Sequence, residues 1–444
     1  MPHVSSRRDA VLALTIPAFL LGVVPALRAQ DVSWSRQFGT IQFDQANGVA
    51  AVDGNVYVVG DITGDFPGQT STSGKNLFLR RYDYAGNESW TRQFGPNTTT
   101  SEVSATGVAA NAGGVFVAGW TRGALGQAQI GDYDAFVRKY DLNGNEQWTR
   151  QFGISTSTVL ANGVAVDGTG VYVAGYVDCC GASLVPGQPP GADAFVRKYD
   201  MDGKELWTRQ FGSIDIDRAS AIAVDITGVY VAGTTQGAMA GPQGQMDWFV
   251  VKFDANGKTI WVRQYGEASS NEEANAIAVG PLGLYVGGRT TANAQGLWDA
   301  LVMKLDAGDG SRQWTRQFGG QDGDNVLGLT MGLTHLIVAG AVDGPLPGQT
   351  YGGAQDAFYR LYDSGGAEVT TVEFGGGLND FATGASADAR GFYISGSKNG
   401  GELGLTPVGD NDAFVIKVAP PPLVRVPGPR PVPEGGRRGR RPGA

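Results

Sequence analysis

Asp134–Gly153 reads DAFVRKYDLNGNEQWTRQFG, and this stretch returns with small changes along most of the 444-residue chain. Its WxRQ(F/Y)G ending recurs at six tryptophans, which are Trp34, Trp90, Trp148, Trp207, Trp261 and Trp314. A degenerate copy follows at Thr370–Gly375, where threonine replaces the tryptophan. The copies are spaced by about 56 residues, and a fixed period of this size indicates stacked modules of one supersecondary unit.

Each repeat contains four short segments rich in aromatic and β-branched residues, which favour strands. Examples are Gly163–Asp167, Val171–Gly175, Phe136–Tyr140 and Trp148–Phe152. The turn Asp141–Gly144 between the last two predicts a hairpin with a bulge, in which the aspartate is a turn residue. A four-stranded antiparallel unit cannot bury both of its faces alone, so neighbouring units must stack, and radial stacking gives a β-propeller.

The two ends of the repeat region complement each other. Residues 31–39 form a fourth strand with no unit before it, and residues 412–418 form a third strand with no fourth strand after it. First strands and third strands each number seven. We therefore predict an all-β fold, a seven-bladed β-propeller of four-stranded antiparallel blades at residues 31–419, closed by pairing of 31–39 with 412–418.

The repeated tryptophans are predicted to pack blade against blade, because burying so large a ring stabilises a fold substantially. Side chains alternate along a strand, so Trp148, Arg150 and Phe152 share one side. Arg150 then needs an acidic or carbonyl partner, and Asp134 is the hypothesised one. The copy at Thr370 lacks both tryptophan and arginine, so the joint around the sixth blade is expected to be the weakest.

Residues 1–29 and 420–444 differ from the repeats. Arg7 and Arg8 precede an apolar run and then small residues, which is typical of a secretory signal peptide. We expect export to the periplasm, cell surface or medium, with the general and twin-arginine routes both open. The tail is rich in Pro, Gly and Arg and is expected to be disordered. No run is long enough to predict a transmembrane segment.

The chain has a formal charge of −9, and both terminal segments are net basic, so the repeat region is more acidic than the whole. This acidity argues against a nucleic-acid partner. Two adjacent cysteines, Cys179 and Cys180, are either a vicinal disulfide or free thiols. His335 is the lone histidine after residue 29, in an apolar segment, and is expected to be structural.

The longer loops of the repeat should share one face of the disc, where binding usually lies. This face is predicted to be acidic. Asp215 with Asp217, and Asp322 with Asp324, place carboxylates two residues apart, so these four are candidate calcium ligands. The alternative is a solvated acidic rim. We predict no catalytic residues and no other cofactor, since GxSxG and P-loop motifs are absent from the sequence.

Segments 170–177 (GVYVAGYV), 191–212 (GADAFVRKYDMDGKELWTRQFG) and 65–70 (DFPGQT) resemble the bacterial SBBP repeat family of seven-bladed propellers. The resemblance covers about residues 31–418; residues 326–340 depart from the pattern. It implies an exported, often cell-surface-associated propeller without general catalytic residues. A weaker likeness to quinoprotein-type tryptophan-docking repeats lies in Asp200–Trp207 and Asp254–Trp261.

The expected function is that of a secreted or cell-envelope, non-enzymatic binding module. Its acidic long-loop face would take an unidentified protein or glycan partner, and the chain is expected to be a monomer. Two alternatives stay open, an envelope-assembly scaffold and an enzyme that is carbohydrate-active or quinone-dependent.

Overall fold

A computed structural model describes residues 32–70, 75–96, 102–155, 157–178, 183–185, 193–241, 244–400 and 407–419. All regular structure in these ranges is β-strand. The predicted signal peptide at 1–29, the predicted tail at 420–444 and the pair Cys179–Cys180 lie outside the described residues. Within the described ranges, no helix has the length and apolarity needed to cross a membrane.

In the described part of the chain, twenty-eight strands form seven sheets of four. Blade 1 consists of β2 (Asp44–Val52), β3 (Asn55–Thr63), β4 (Lys75–Tyr82) and β5 (Glu88–Phe94). Blade 2 consists of β6 (Val103–Asn111), β7 (Gly114–Thr121), β8 (Asp134–Tyr140) and β9 (Glu146–Phe152). Blade 3 consists of β10 (Thr158–Val166), β11 (Val171–Asp178), β12 (Ala194–Tyr199) and β13 (Glu205–Phe211). Blade 4 consists of β14 (Asp217–Asp225), β15 (Gly228–Thr235), β16 (Asp247–Phe253) and β17 (Thr259–Tyr265). Blade 5 consists of β18 (Glu272–Gly280), β19 (Gly283–Thr290), β20 (Asp299–Leu305) and β21 (Arg312–Phe318). Blade 6 has β22 (Asn325–Met331), β23 (Leu336–Val342), β24 (Asp356–Tyr362) and β25 (Glu368–Phe374), and blade 7 has β26 (Phe381–Asp388), β27 (Gly391–Lys398), β28 (Asp412–Val418) and β1 (Val32–Phe38).

The ring closes as predicted, because β1 completes blade 7. It pairs antiparallel with β28, with Ser35 opposite Ile416 and Gln37 opposite Phe414. Phe38 then packs edge to face on Phe78 of blade 1, with ring centroids 5.4 Å apart. The first strand of the ring therefore belongs to the last sheet and also packs against the first, which confirms the seven-bladed fold.

The predicted hairpin between third and fourth strands is also present. The amide of Gly144 donates to the Asp141 carbonyl at 3.0 Å, and the Asp141 carboxylate accepts from the amides of Asn143 and Asn145. Gly144 has a φ of 80°, a conformation that side chains disfavour. A Cβ there would also lie 2.9 Å from Cδ2 of Trp90 in the preceding blade, so glycine suits the position twice over.

Over the described residues, an arginine of the fourth strand hydrogen-bonds to this hairpin of the next blade in five blades, and in four of these a tryptophan does so as well. In blade 2, Arg150 Nε donates to the Gly203 carbonyl at 2.6 Å and Trp148 Nε1 donates to the Met201 carbonyl at 3.1 Å. The arginine bond to the turn glycine recurs at 2.7–2.8 Å from Arg36 to Gly86, Arg92 to Gly144, Arg209 to Gly257 and Arg316 to Gly366.

The hypothesised Asp134–Arg150 pair is wrong. Arg150 takes carbonyl partners across the blade joint, whereas Asp134 accepts a hydrogen bond from Gln151 at 2.8 Å. Adjacent residues of a strand point to opposite faces, so Arg150 and Gln151 serve different neighbours. In blade 6 the corresponding strand offers Thr370 and Val372, and the weaker joint expected there stays a prediction.

Candidate functional site

The longer connections all open on one end of the ring. In an antiparallel blade, the turns from first to second and from third to fourth strand share one end, and the remaining connections share the other. The turns are tight, as at Asp53–Gly54 between β2 and β3, where both residues have positive φ. We call the opposite end the long-loop face.

In blades 2 to 7 a carboxylate stands at the start of the third strand, where blade 1 has Asn76, and in blade 2 it organises the loop in front of it. Asp134 is buried and accepts hydrogen bonds from the amides of Ile130 and Gly131, each at 2.8 Å. Gln151 of the neighbouring strand donates to the same carboxylate. This glutamine–aspartate bond recurs at 2.7–2.9 Å in Gln37–Asp412, Gln210–Asp193, Gln264–Asp247 and Gln317–Asp299. These aspartates therefore hold loops in place.

A second set of buried carboxylates stands at the start of the first strands, and its members are Asp44, Asp217, Glu272, Asp324 and Asp380. Asp324 accepts hydrogen bonds from the amides of Gly320 at 2.6 Å and Asp343 at 3.0 Å. Burial raises the pKa of Asp324 to about 6, although these amides oppose the shift. Burial raises the pKa of the other four carboxyls as well.

At five joints, the two sets meet across the glycine that ends the fourth strand. A Cβ on Gly39 would lie 2.5 Å from Oδ1 of Asp412 and 2.7 Å from Oδ2 of Asp44, so a side chain there would displace one of the two carboxylates. Besides burial, the charge of Asp412 raises the pKa of Asp44. The equivalent pairs are Asp193–Asp217, Asp247–Glu272, Asp299–Asp324 and Asp356–Asp380. Adjacent blades are thus coupled by like charges.

Blade 6 departs from this pattern, because Glu373 replaces the glutamine of the other blades. Its carboxylate accepts a hydrogen bond from the Leu346 amide at 2.9 Å and lies against Asp356. Burial first, and then the neighbouring charges of Asp356 and Asp324, raise the pKa of Glu373 to about 7. This joint therefore changes its charge near neutral pH.

In each candidate calcium pair, one aspartate is buried and the other is exposed to solvent. Asp217 is buried and accepts a hydrogen bond from the Ser213 hydroxyl at 2.9 Å, whereas Asp215 is exposed. Asp324 is likewise buried and Asp322 exposed. Over the described ranges, no group of three or more His, Cys, Asp or Glu side chains is arranged to hold a metal ion. Calcium binding at these four residues stays a prediction, and the two buried members already serve their own loops.

The first strands line a central channel with a volume of about 160 Å³. Each carries one bulged residue, and five of these bond to the next blade, for example Asn162 Nδ2 to the Ala219 carbonyl at 2.8 Å. The others are Asn47 to Ala105, Thr106 to Ala161, Asn275 to Val326 and Thr383 to Ala46. The channel lining consists of Gly, Ala, Val, Ile, Leu, Asn, Ser and Thr residues. The polar side chains of the channel therefore serve mainly to hydrogen-bond one blade to the next.

Aromatic rings and guanidinium groups pair at three places on the long-loop face, of which one lies between two blades. Trp120 and Tyr133 meet edge to face at 5.3 Å, and the Arg122 guanidinium lies 5.6 Å from the Tyr133 ring. Two further guanidinium–ring pairs are Arg218–Tyr176 at 4.9 Å and Arg289–Trp298 at 4.3 Å. Sequence reasoning missed these pairs because their members come from different strands and lie outside the repeated motif.

The same face carries a set of exposed apolar residues that sequence reasoning also missed. Its loops hold seven of the twelve exposed large apolar residues in the described part of the chain, which are Ile41, Phe43, Ile130, Ile214, Leu297, Leu378 and Val408. We call these seven the apolar tips. Three of them belong to the closing joint, where Phe43 bridges to Asn411. The opposite face exposes Tyr84, Ile226 and Leu333.

His335 lies away from this surface. It precedes β23 in the turn where the Gly332 amide donates to the His335 carbonyl at 2.9 Å, on the tight-turn face. Burial lowers its pKa, which favours the neutral ring. The residue was predicted within the apolar segment, and the strand begins just after it.

No protein-family model matches the chain. The regulatory protein FlaEY of Caulobacter vibrioides is 26% identical to it over 392 residues, covering 76% of this chain and 40% of that protein. The chain thus spans about two fifths of the length of this curated relative.

Among solved structures, the WD40 domain of Neurospora crassa Pan2 aligns with 84% of this chain and 88% of its own, at 11% identity and a TM-score of 0.47. The quinohemoprotein alcohol dehydrogenase of Comamonas testosteroni aligns with 87% of this chain and 76% of its own, at 12% identity and a TM-score of 0.44. These two likenesses concern the fold alone.

Proposed function

We propose that this chain is an exported, non-enzymatic binding module that docks a protein partner on its long-loop face. The observation that carries the proposal is that the seven apolar tips all lie on the long-loop face, at the end of the ring where the loops are longest. Removing apolar surface from water contributes about 25 cal/mol per Å² before the entropic and desolvation costs of association are subtracted. Loops on a rigid scaffold are where binding surfaces usually form.

The polar groups of the same face support this assignment. The buried carboxylates accept hydrogen bonds from their own loops, and the channel amides and hydroxyls join neighbouring blades. What this leaves for a partner is the apolar tips and the aromatic–arginine pairs. Aromatic and arginine side chains are enriched in protein interfaces and their hot spots.

Two further features support the proposal. The relative with 26% identity is named a regulatory protein, a description compatible with binding a partner. Residues 1–29 have the pattern of a signal peptide, which supports export of the chain.

The test is a capture experiment with the full chain and paired substitutions on the two faces. Ile41→Asp combined with Ile214→Asp is expected to reduce capture of partner proteins from envelope and culture fractions at least about tenfold, because an unpaired carboxylate is costly in an apolar interface. Both residues are highly exposed, at 79% and 94%, so the fold should tolerate the changes. Quantitative mass spectrometry of cross-linked partners is the measurement.

Ile226→Asp is the matched control, since Ile226 is as exposed as Ile214, at 104%, but lies on the tight-turn face. It should capture the same proteins as the parent chain. Equal capture by the Ile41→Asp/Ile214→Asp variant and the parent would refute docking through the apolar tips.

A further inference from the structure

A cavity of about 200 Å³ opens on the long-loop face between blades 4 and 5. Its polar lining comes from Arg218 and Ser220 on β14, Thr234 and Gln236 at the end of β15, and Glu273 and Asn275 on β18. Ser220 and Asn275 also line the channel, so the cavity sits above the channel wall.

Thr234, which lines the cavity, occupies a position that is aromatic in two other blades. Thr234 pairs with Arg218 as Trp120 pairs with Ser104 in blade 2 and Tyr176 pairs with Leu160 in blade 3. Those rings are partly buried at their own joints. The threonine leaves that volume open.

The lining offers hydrogen-bonding groups that the fold does not use. Five bulged residues of the first strands bond to the next blade, but Ser220, the bulged residue of β14, does not. Within the described part of the chain, the Thr234 hydroxyl and the Gln236 carboxamide also have no hydrogen-bond partner. Such a concentration of unpaired polar groups at one cavity favours a ligand with several hydroxyl groups.

The charges of Arg218 and Glu273, the two charged residues of the lining, are already paired with side chains outside the cavity. Arg218 stacks on Tyr176 at 4.9 Å and lies 3.9 Å from Asp178, and Glu273 accepts from Arg289 at 2.5 and 2.8 Å. The cavity therefore needs no charged ligand, although both residues can still bond to one.

The size and the remaining walls indicate a single six-membered ring. A cavity of about 150 Å³ in another protein accommodates benzene, so about 200 Å³ accommodates a substituted ring. Ile216 and Met246 supply apolar surface for the C–H face of such a ring. We propose that this cavity binds one neutral pyranose residue, as a free sugar or as the end of a glycan. The proposal goes beyond protein docking and does not depend on it.

Titration of the full chain with neutral hexoses and N-acetylhexosamines, followed by saturation-transfer NMR and calorimetry, tests the proposal. At least one sugar should bind saturably. Thr234→Tyr should abolish this binding, because the new ring fills the cavity as Tyr176 fills its own joint. Gln236→Ala should weaken binding about three- to tenfold, the effect of losing one hydrogen bond.

Arg122→Ala is the control, since Arg122 follows β7 as Gln236 follows β15, in a blade that carries Trp120 where blade 4 has Thr234. It should bind the sugar as the parent does. Absence of binding to every neutral sugar would overturn the proposal. So would unchanged binding by both Thr234→Tyr and Gln236→Ala, or a preference for zwitterionic α-amino acids over sugars.

Discussion

Deletion of Val32–Phe38 is expected to lower the free energy of unfolding by more than about 4 kcal/mol. The deletion exposes the full edge of β28, which β1 otherwise covers along its length. It also removes Phe38, whose burial against Phe66 and Phe78 is worth about 1.5–3 kcal/mol, and the Arg36 bond to the Gly86 carbonyl. Urea unfolding monitored by tryptophan fluorescence is the measurement.

A chain that lacks only residues 1–30 is the matched control, because it keeps every described strand. Its unfolding midpoint should equal that of the full chain. If removing Val32–Phe38 leaves the midpoint unchanged as well, β1 does not close the ring.

The second large effect concerns pH. Stability is expected to fall as the pH rises from 4.5 to 8, because several buried carboxyls have raised pKa values in the folded state. A raised folded-state pKa means that the folded state binds more protons than the unfolded state over this range, so stability is lost as the pH passes through the folded-state pKa. For Glu373, stability is lost over the pH range between its ordinary pKa of 4.5 and its folded-state pKa of about 7.

Glu373→Gln isolates this contribution. The substitution restores the residue found in the other blades, whose carboxamide donates to the third-strand aspartate at 2.7–2.9 Å in five of them. At pH 8 it should raise the free energy of unfolding by about 1–2 kcal/mol, after allowance for solvent screening. The gain should disappear below about pH 4.5, where the glutamate is protonated in both states.

Urea midpoints at pH 4.5 and 8 measure the difference. Glu368→Gln, an exposed position of the same strand that pairs with Arg360 at 3.4 Å, controls for removal of a negative charge. Equal stability of Glu373→Gln and the parent at pH 8 would show that the buried pair does not strain the joint.

The fold followed from the sequence because its signals are local and repeated. The Asp141–Gly144 turn, the strand composition and the orphan strand around Trp34 each predict an element, and counting the copies predicts seven blades. The tight turns and the period-two alternation also place Trp148 and Arg150 on the side that meets the next blade, as the structure shows.

The candidate site was predicted from the sequence less accurately than the fold, because the burial of a side chain depends on neighbours that are distant in sequence. Asp215 and Asp217 look alike in the sequence, yet one is exposed and the other is enclosed by its own loop. The bulge in each first strand was missed because its residue varies between Asn162, Ser220 and Leu327. The apolar tips lie in loops that differ from blade to blade, so no repeat could reveal them.

Hydrogen exchange on the intact chain tests most directly whether β1 is a hydrogen-bonded strand of the seventh sheet. Backbone amides of Val32–Phe38 that pair with β28 should exchange as slowly as those of Asp412–Val418, since the two strands open together. Rapid exchange throughout Val32–Phe38, with Asp412–Val418 still protected, would contradict the closed ring.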